Sequence, residues 1–169
     1  MVTIHRKSNF MLVTAHSQLG EAYLNLKWFE QSLEHLTRAL KLNANLLNEV
    51  EETKDYHTHL LTMLGRCYLE AGNYKDSRAL LEKSLAMNKQ VNGEDSLTSC
   101  PALQLLSKLG VKEKQFDSAF ALLEKVTEIY EKTHSDQIGF ISAEMAKIAR
   151  KQERLDKAVA LQTKALAQF

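Results

Sequence analysis

His57 and His59, with Cys67 further along the same stretch, are this sequence's nearest approach to a set of metal ligands. A structural zinc ion needs imidazole and thiolate groups that converge on one point. Residues two apart on a helix point to different faces, so these histidines do not converge and read as surface residues. Cys67 and Cys100 have no metal-type spacing and no disulfide framework, which suits a reducing compartment. The acidic pairs Glu51-Glu52 and Glu94-Asp95 fall at helix ends or in linkers, where a solvated surface accounts for them without general acid–base work. No Walker-type phosphate loop, GxGxxG, HExxH or GxSxG run occurs, and the six glycines are scattered. The sequence therefore offers no catalytic residue, no cofactor site and no metal site, and predicts a protein that is not an enzyme.

The elements that carry these residues are helices. One proline, six glycines and 7% aromatics, set among many Leu, Ala, Glu, Lys and Gln, describe an all-α chain. With 169 residues, 44% of them hydrophobic, the chain has material for the core of one extended domain. Twenty-two basic and 21 acidic side chains leave a formal charge of +1, so no overall field draws the protein to nucleic acid or to an anionic membrane. Neither is expected as a partner. No apolar run approaches the roughly 18 residues that span a bilayer, and the N-terminal MVTIHRKSNF lacks the long apolar core of a secretory signal. The expected location is cytoplasmic.

Residues 62 to 85, TMLGRCYLEAGNYKDSRALLEKSL, describe two amphipathic helices joined by a tight turn. Leu61, Leu64, Gly65 and Tyr68 share one face of the first helix. Gly72 can take the left-handed conformation that stops it. The second helix turns Tyr74, Ser77, Leu81, Ser84 and Leu85 inward and Lys75, Asp76, Glu82 and Lys83 outward. The register recurs upstream at Leu19, Gly20, Tyr23, Phe29, Ser32, Leu36, Ala39 and Leu40. It recurs downstream at Leu106, Ser107, Gly110, Phe116, Ala119, Leu123 and Val126, and again at Met145, Ala146, Ala149, Leu155, Ala158, Ala165 and Leu166. The anchors Phe29, Tyr74, Phe116 and Leu155 stand 45, 42 and 39 residues apart.

This pattern resembles the tetratricopeptide repeat, whose minimal unit is about 34 residues. The longer spacing, and linkers such as KQVNGEDSLTSCPAL and YEKTHSDQIGFIS, are similar to the kinesin light chain subgroup. The resemblance implies a right-handed superhelical solenoid of antiparallel helix pairs, because each pair is apolar on two faces and stacks on its neighbours. One domain over residues 1–169 is expected, with repeats at about 13–54, 58–95, 100–134 and 139–169, and residues 1–12 as an N-terminal segment or the end of a preceding helix. Small residues at Gly20, Gly65 and Ser107 should meet Ser32, Ser77, Ala119 and Ala158 where helices approach closely. Cys67 falls in a small-residue slot and reads as core filler. Gln162 replaces a large apolar residue, so the last repeat should pack less tightly. Pro101 fits the first turn of a helix, with Ser99 or Thr98 as its cap, and Trp28 should pack locally at its turn.

The resemblance also implies a function, protein binding on the concave face lined by first helices. Its contact positions fall at Thr14, Ser17, Glu21, Leu24 and Asn25, then at His59, Thr62, Arg66, Leu69 and Glu70. In the later repeats they fall at Gln104, Lys108, Val111 and Lys112, and at Phe140, Ala143, Lys147, Arg150 and Lys151. Ser17 and Glu21 stand where chaperone-tail-binding members carry a clamp for a terminal carboxylate, so no such clamp is expected. The expected groove is Arg66, Leu69, Lys108, Val111, Lys112, Phe140, Lys147, Arg150 and Lys151, and its expected partner is an acidic peptide. An adaptor in cargo, cytoskeletal or ciliary assembly follows from the resemblance. The alternatives are a self-associating segment of a longer array, joined through a C-terminal end that shows Ala165, Leu166 and Phe169 with no polar cap, or a small helical enzyme.

Overall fold

The computed structural model of the chain describes residues 2–47, 52–133 and 137–167, which form eight α-helices and no strand. Glu51 and Phe169, singled out above, lie outside the described residues. Four times a helix, a three-residue turn and a second helix follow one another: α1 (Val2–Asn25) and α2 (Phe29–Ala44), α3 (Glu52–Glu70) and α4 (Tyr74–Asn92), α5 (Cys100–Lys112) and α6 (Phe116–Lys132), α7 (Ile138–Lys151) and α8 (Leu155–Leu166). The four turns share one mechanism. Lys27, Gly72, Lys114 and Glu153 take positive φ angles of 61°, 85°, 61° and 59°. The next N–H then reaches back to a carbonyl of the helix, Trp28 to Tyr23 at 2.9 Å, Asn73 to Tyr68 at 2.8 Å, Gln115 to Gly110 at 2.7 Å and Arg154 to Ala149 at 3.0 Å. This is the Schellman stop, and only one of its four left-handed positions is a glycine.

Two compact units divide the chain, Met1–Gly93 and Glu94–Phe169. In the first, α1 pairs with α2, α3 pairs with α4, and α2 packs on α3. Val13, Leu24, Leu36, Ala39, Leu60, Leu64 and Cys67 form its core. Gly20 and Gly65 explain the close approach: a Cβ on either would lie 2.6 or 2.7 Å from Cγ of Leu36 or Leu81. Ser32 and Ser77 donate their hydroxyls to the carbonyls of those same glycines, each at 2.8 Å. Helix α1 is continuous from Val2 to Asn25, so residues 2–12 belong to the same helix as the start of the first repeat. His57 corrects another expectation, for it is buried while His59 is exposed. Its Nδ1 lies 3.3 Å from Nδ2 of Asn43, which donates to the carbonyl of Thr53 at 2.8 Å. A face turned toward the preceding helix pair buries this histidine, something spacing within its own helix does not reveal.

In the second unit α5 pairs with α6, α6 packs on α7, and α7 pairs with α8. A 3-10 turn, Leu97–Ser99, leads into α5, and Pro101 sits in its first turn as expected. Ser99 makes no side-chain capping bond to α5, and Ser96 caps the 3-10 turn by accepting from the Thr98 N–H at 3.3 Å. Ser107 donates to the Ala119 carbonyl at 2.8 Å, while Ala146 and Ala158 bury the equivalent point of the last pair. Helix α8 buries only Ala158 and Ala165 among its described side chains. Leu155 is 65% exposed, unlike the half-buried Phe29, Tyr74 and Phe116, because no described element covers that face. Gln162 is exposed beside it.

Candidate partner-binding surface

The side chains that could perform chemistry are placed against it. Cys67 and Cys100 are fully buried, and burial raises both thiol pKa values, that of Cys100 to about 11. Such thiols stay protonated near neutrality and make poor nucleophiles or ligands. Among the described residues no group of three His, Cys, Asp or Glu side chains could hold a metal ion. Glu94 and Asp95 are exposed and face Lys125 at 4.0 Å and Lys132 at 2.5 Å. Trp28 does pack locally, stacked on Tyr23 with ring centroids 5.8 Å apart. One cluster carried no sequence signal: Tyr23 also stacks on His35, whose Nδ1 meets that of His16 at 2.9 Å. Only the pairing of α1 with α2 makes neighbours of residues so far apart in sequence.

The face of the first helices is built from positions that the antiparallel partner leaves free. On α3, Arg66 is half exposed and already engaged, with Nε 2.9 Å from Oε1 of Glu70 and a second nitrogen 3.5 Å from Oδ1 of Asn25. Leu69 is only 8% exposed and offers a partner little surface. Thr62, another family contact position, is buried in a hydroxyl network with Ser84 and the Thr58 carbonyl.

In the second unit α5 and α7 flank one another closely enough for Lys108 Nζ to lie 3.9 Å from Oε1 of Glu144. Glu144 is an acid that the family positions did not single out. It is mostly covered and neutralises part of the basic face. Gln104 turns its amide to the Tyr130 hydroxyl at 3.3 Å. Lys112, Lys147, Arg150 and Lys151 are exposed and make no ion pair with a described residue. Val111 is half-buried next to Lys112 in the chain, and Phe140, in the first turn of α7 and about 10 Å or more along the helix from the α7 cations, is 52% exposed. Lys112, Arg150 and Lys151 occupy the last turns of α5 and α7, where the helix dipole favours cations. The arrangement can attract anions and receive an apolar side chain.

Two tetratricopeptide repeat models match the chain, one over residues 13–46 and one over residues 55–132, about two thirds of it between them. No curated protein matches. Among solved structures, the apo form of RapI has a TM-score of 0.79 and 18% identity, covering 95% of this chain and 43% of its own. A Rap protein complexed with competence and sporulation factor has a TM-score of 0.77 and 14% identity, covering 97% and 44%. The nearly identical repeats of a putative kinesin light chain from Podosopora anserina give 0.75 and 19%, covering 92% and 73%. The chain thus spans less than half the length of the Rap proteins that it matches. The fourfold register, its Schellman turns and the matched models lead to one conclusion: the chain belongs to the tetratricopeptide repeat family.

Proposed function

We propose that this chain is a non-enzymatic scaffold whose first helices hold segments of partner proteins, with the α5–α7 face as the main contact. The observation that carries the reading is the set of four exposed cations, Lys112, Lys147, Arg150 and Lys151, with the exposed ring of Phe140 nearer the start of the same helix α7. Such a set attracts an acidic segment and speeds its association more than it adds affinity. Phe140 and Val111 select for an apolar residue among the acids, so the partner is an extended or short helical peptide of mixed acidic and hydrophobic character. Lys108, half-neutralised by Glu144, plays a smaller part. Arg66 and Leu69 on α3 form a separate, weaker contact. The Rap structure with its bound factor supports a peptide partner by likeness of fold. Likeness to the kinesin light chain repeats favours cargo, cytoskeletal or ciliary assembly in the cytoplasm.

Titrating isotope-labelled protein with an acidic, Leu-containing peptide tests this. Amide shifts should concentrate at Lys112, Phe140, Lys147 and Arg150, and a basic peptide of the same length should produce none. Shifts confined to α2 or α4 would overturn the assignment. A second reading, a self-associating segment, is favoured by Leu155, Val159 and Leu166, which lie 65–69% exposed on α8. A stoichiometric metal or nucleotide in purified protein would favour a small helical enzyme over both.

A further inference from the structure

The repeats themselves define which face of a first helix a preceding second helix covers. On α3 that face is His57, Leu60, Leu64 and Cys67, all buried, with α2 packed against α3. Ile141, Met145 and Ile148 are the equivalent residues of α7, buried where α6 packs. In the same register α1 carries Leu12, Ala15, Leu19 and Ala22, and all four are exposed, followed by Leu26 in the turn. Leu12, Leu19 and Leu26 are 49%, 45% and 59% exposed. The five residues alternate in steps of three and four, the spacing of a helix–helix seam.

The covering face of a second helix is defined in the same way. Phe29, Leu33 and Leu40 of α2 pack against the core that includes the α3 face. Their register equivalents on α8 are Leu155, Val159 and Leu166, the exposed stripe noted above. The α1 stripe and the α8 stripe are therefore the two complementary halves of the α2–α3 contact, each without its other half among the described residues. The α1 surface fits a second helix of this repeat, and among the described residues α8 is the second helix whose large apolar stripe is exposed.

We propose that α8 of one copy packs on α1 of a second copy, extending the repeat from chain to chain. The contact is heterologous, one surface against a different one, so each copy keeps a free surface for the next. It rests on the self-association reading and not on peptide binding.

Two single variants of the full chain test it. Leu19→Glu places a charge in the α1 stripe and Val159→Glu places one in the α8 stripe, both at exposed positions where circular dichroism should stay as in the wild type. Sedimentation should show wild-type mass rising with concentration and each variant alone remaining monomeric. Mixed in equal amounts, the two should form a one-to-one dimer, because Leu19→Glu keeps an intact α8 and Val159→Glu an intact α1. Dimers of Val159→Glu alone would mean that α1 pairs with α1, and dimers of Leu19→Glu alone that α8 pairs with α8. Either result overturns the head-to-tail contact while leaving self-association standing. A wild-type chain that stays monomeric at millimolar concentration overturns both and does not touch the peptide reading.

Discussion

Single methyl groups decide how closely the helices of the first unit can approach. A Cβ on Gly65 would meet Cγ of fully buried Leu81 at 2.7 Å, so Gly65→Ala should lower unfolding free energy by about 1–2 kcal/mol although alanine favours helix. Leu81→Ala alone should cost about 2–5 kcal/mol. In the double variant the added methyl fills space left by the leucine, and denaturant titration should give a loss smaller than the sum of the two. These contacts were legible in the sequence, since small residues recur in a fixed register. The burial of His57 was not, because its cover comes from another helix pair. Burial first, and the charge of Lys83 second, hold its pKa below the ordinary 6.5. Burial, Arg38 and His35 lower His16 in the same direction against Glu34. The unfolded chain therefore binds more protons than the folded one as pH falls through about 6.5, and stability present above that pH is lost below it. The denaturation midpoint should drop between roughly pH 7 and pH 5, and drop less in His57→Gln, whose amide does not titrate.

At the level of elements, the helix pairs were readable from periodicity and their stops were only partly so. Gly72 announced its turn; Lys27, Lys114 and Glu153 take the same left-handed conformation with side chains that disfavour it. The two backbone hydrogen bonds that close each turn outweigh that cost, which intrinsic preference alone does not predict. Lys114→Gly should therefore stabilise the second unit by about 0.5–1 kcal/mol, relief of strain exceeding the added freedom of the unfolded chain. Gly72→Ala should cost the first unit about 1 kcal/mol even though no atom lies within 4 Å of the new methyl. Thermal melts of both variants separate the two effects, and equal midpoints would show that the left-handed residue does not matter. Helix α8 shows the limit of the register. Leu155 falls at an anchor position, yet an anchor is buried only where another element meets it.

For the whole molecule, composition pointed to an all-helical chain and the recurring residue register to the tetratricopeptide family, while the sorting of the basic face needed three dimensions. Ion pairing sorts cations that look alike in sequence: Lys108 faces Glu144 and Arg66 faces Glu70, whereas Lys112, Lys147 and Arg150 stand open. Exposed pairs contribute little singly, so reversing one charge is a weak probe and several must change together. The most direct measurement is the affinity of an acidic, Leu-containing peptide for the wild type and for the triple variant Lys112→Glu, Lys147→Glu, Arg150→Glu, each titrated at low and at high salt. Wild-type binding should weaken as salt rises, and the triple variant should lose at least about tenfold in affinity at low salt, together with most of that salt dependence. Equal affinity and an unchanged salt dependence in the two proteins would contradict the assignment of this face as the binding surface.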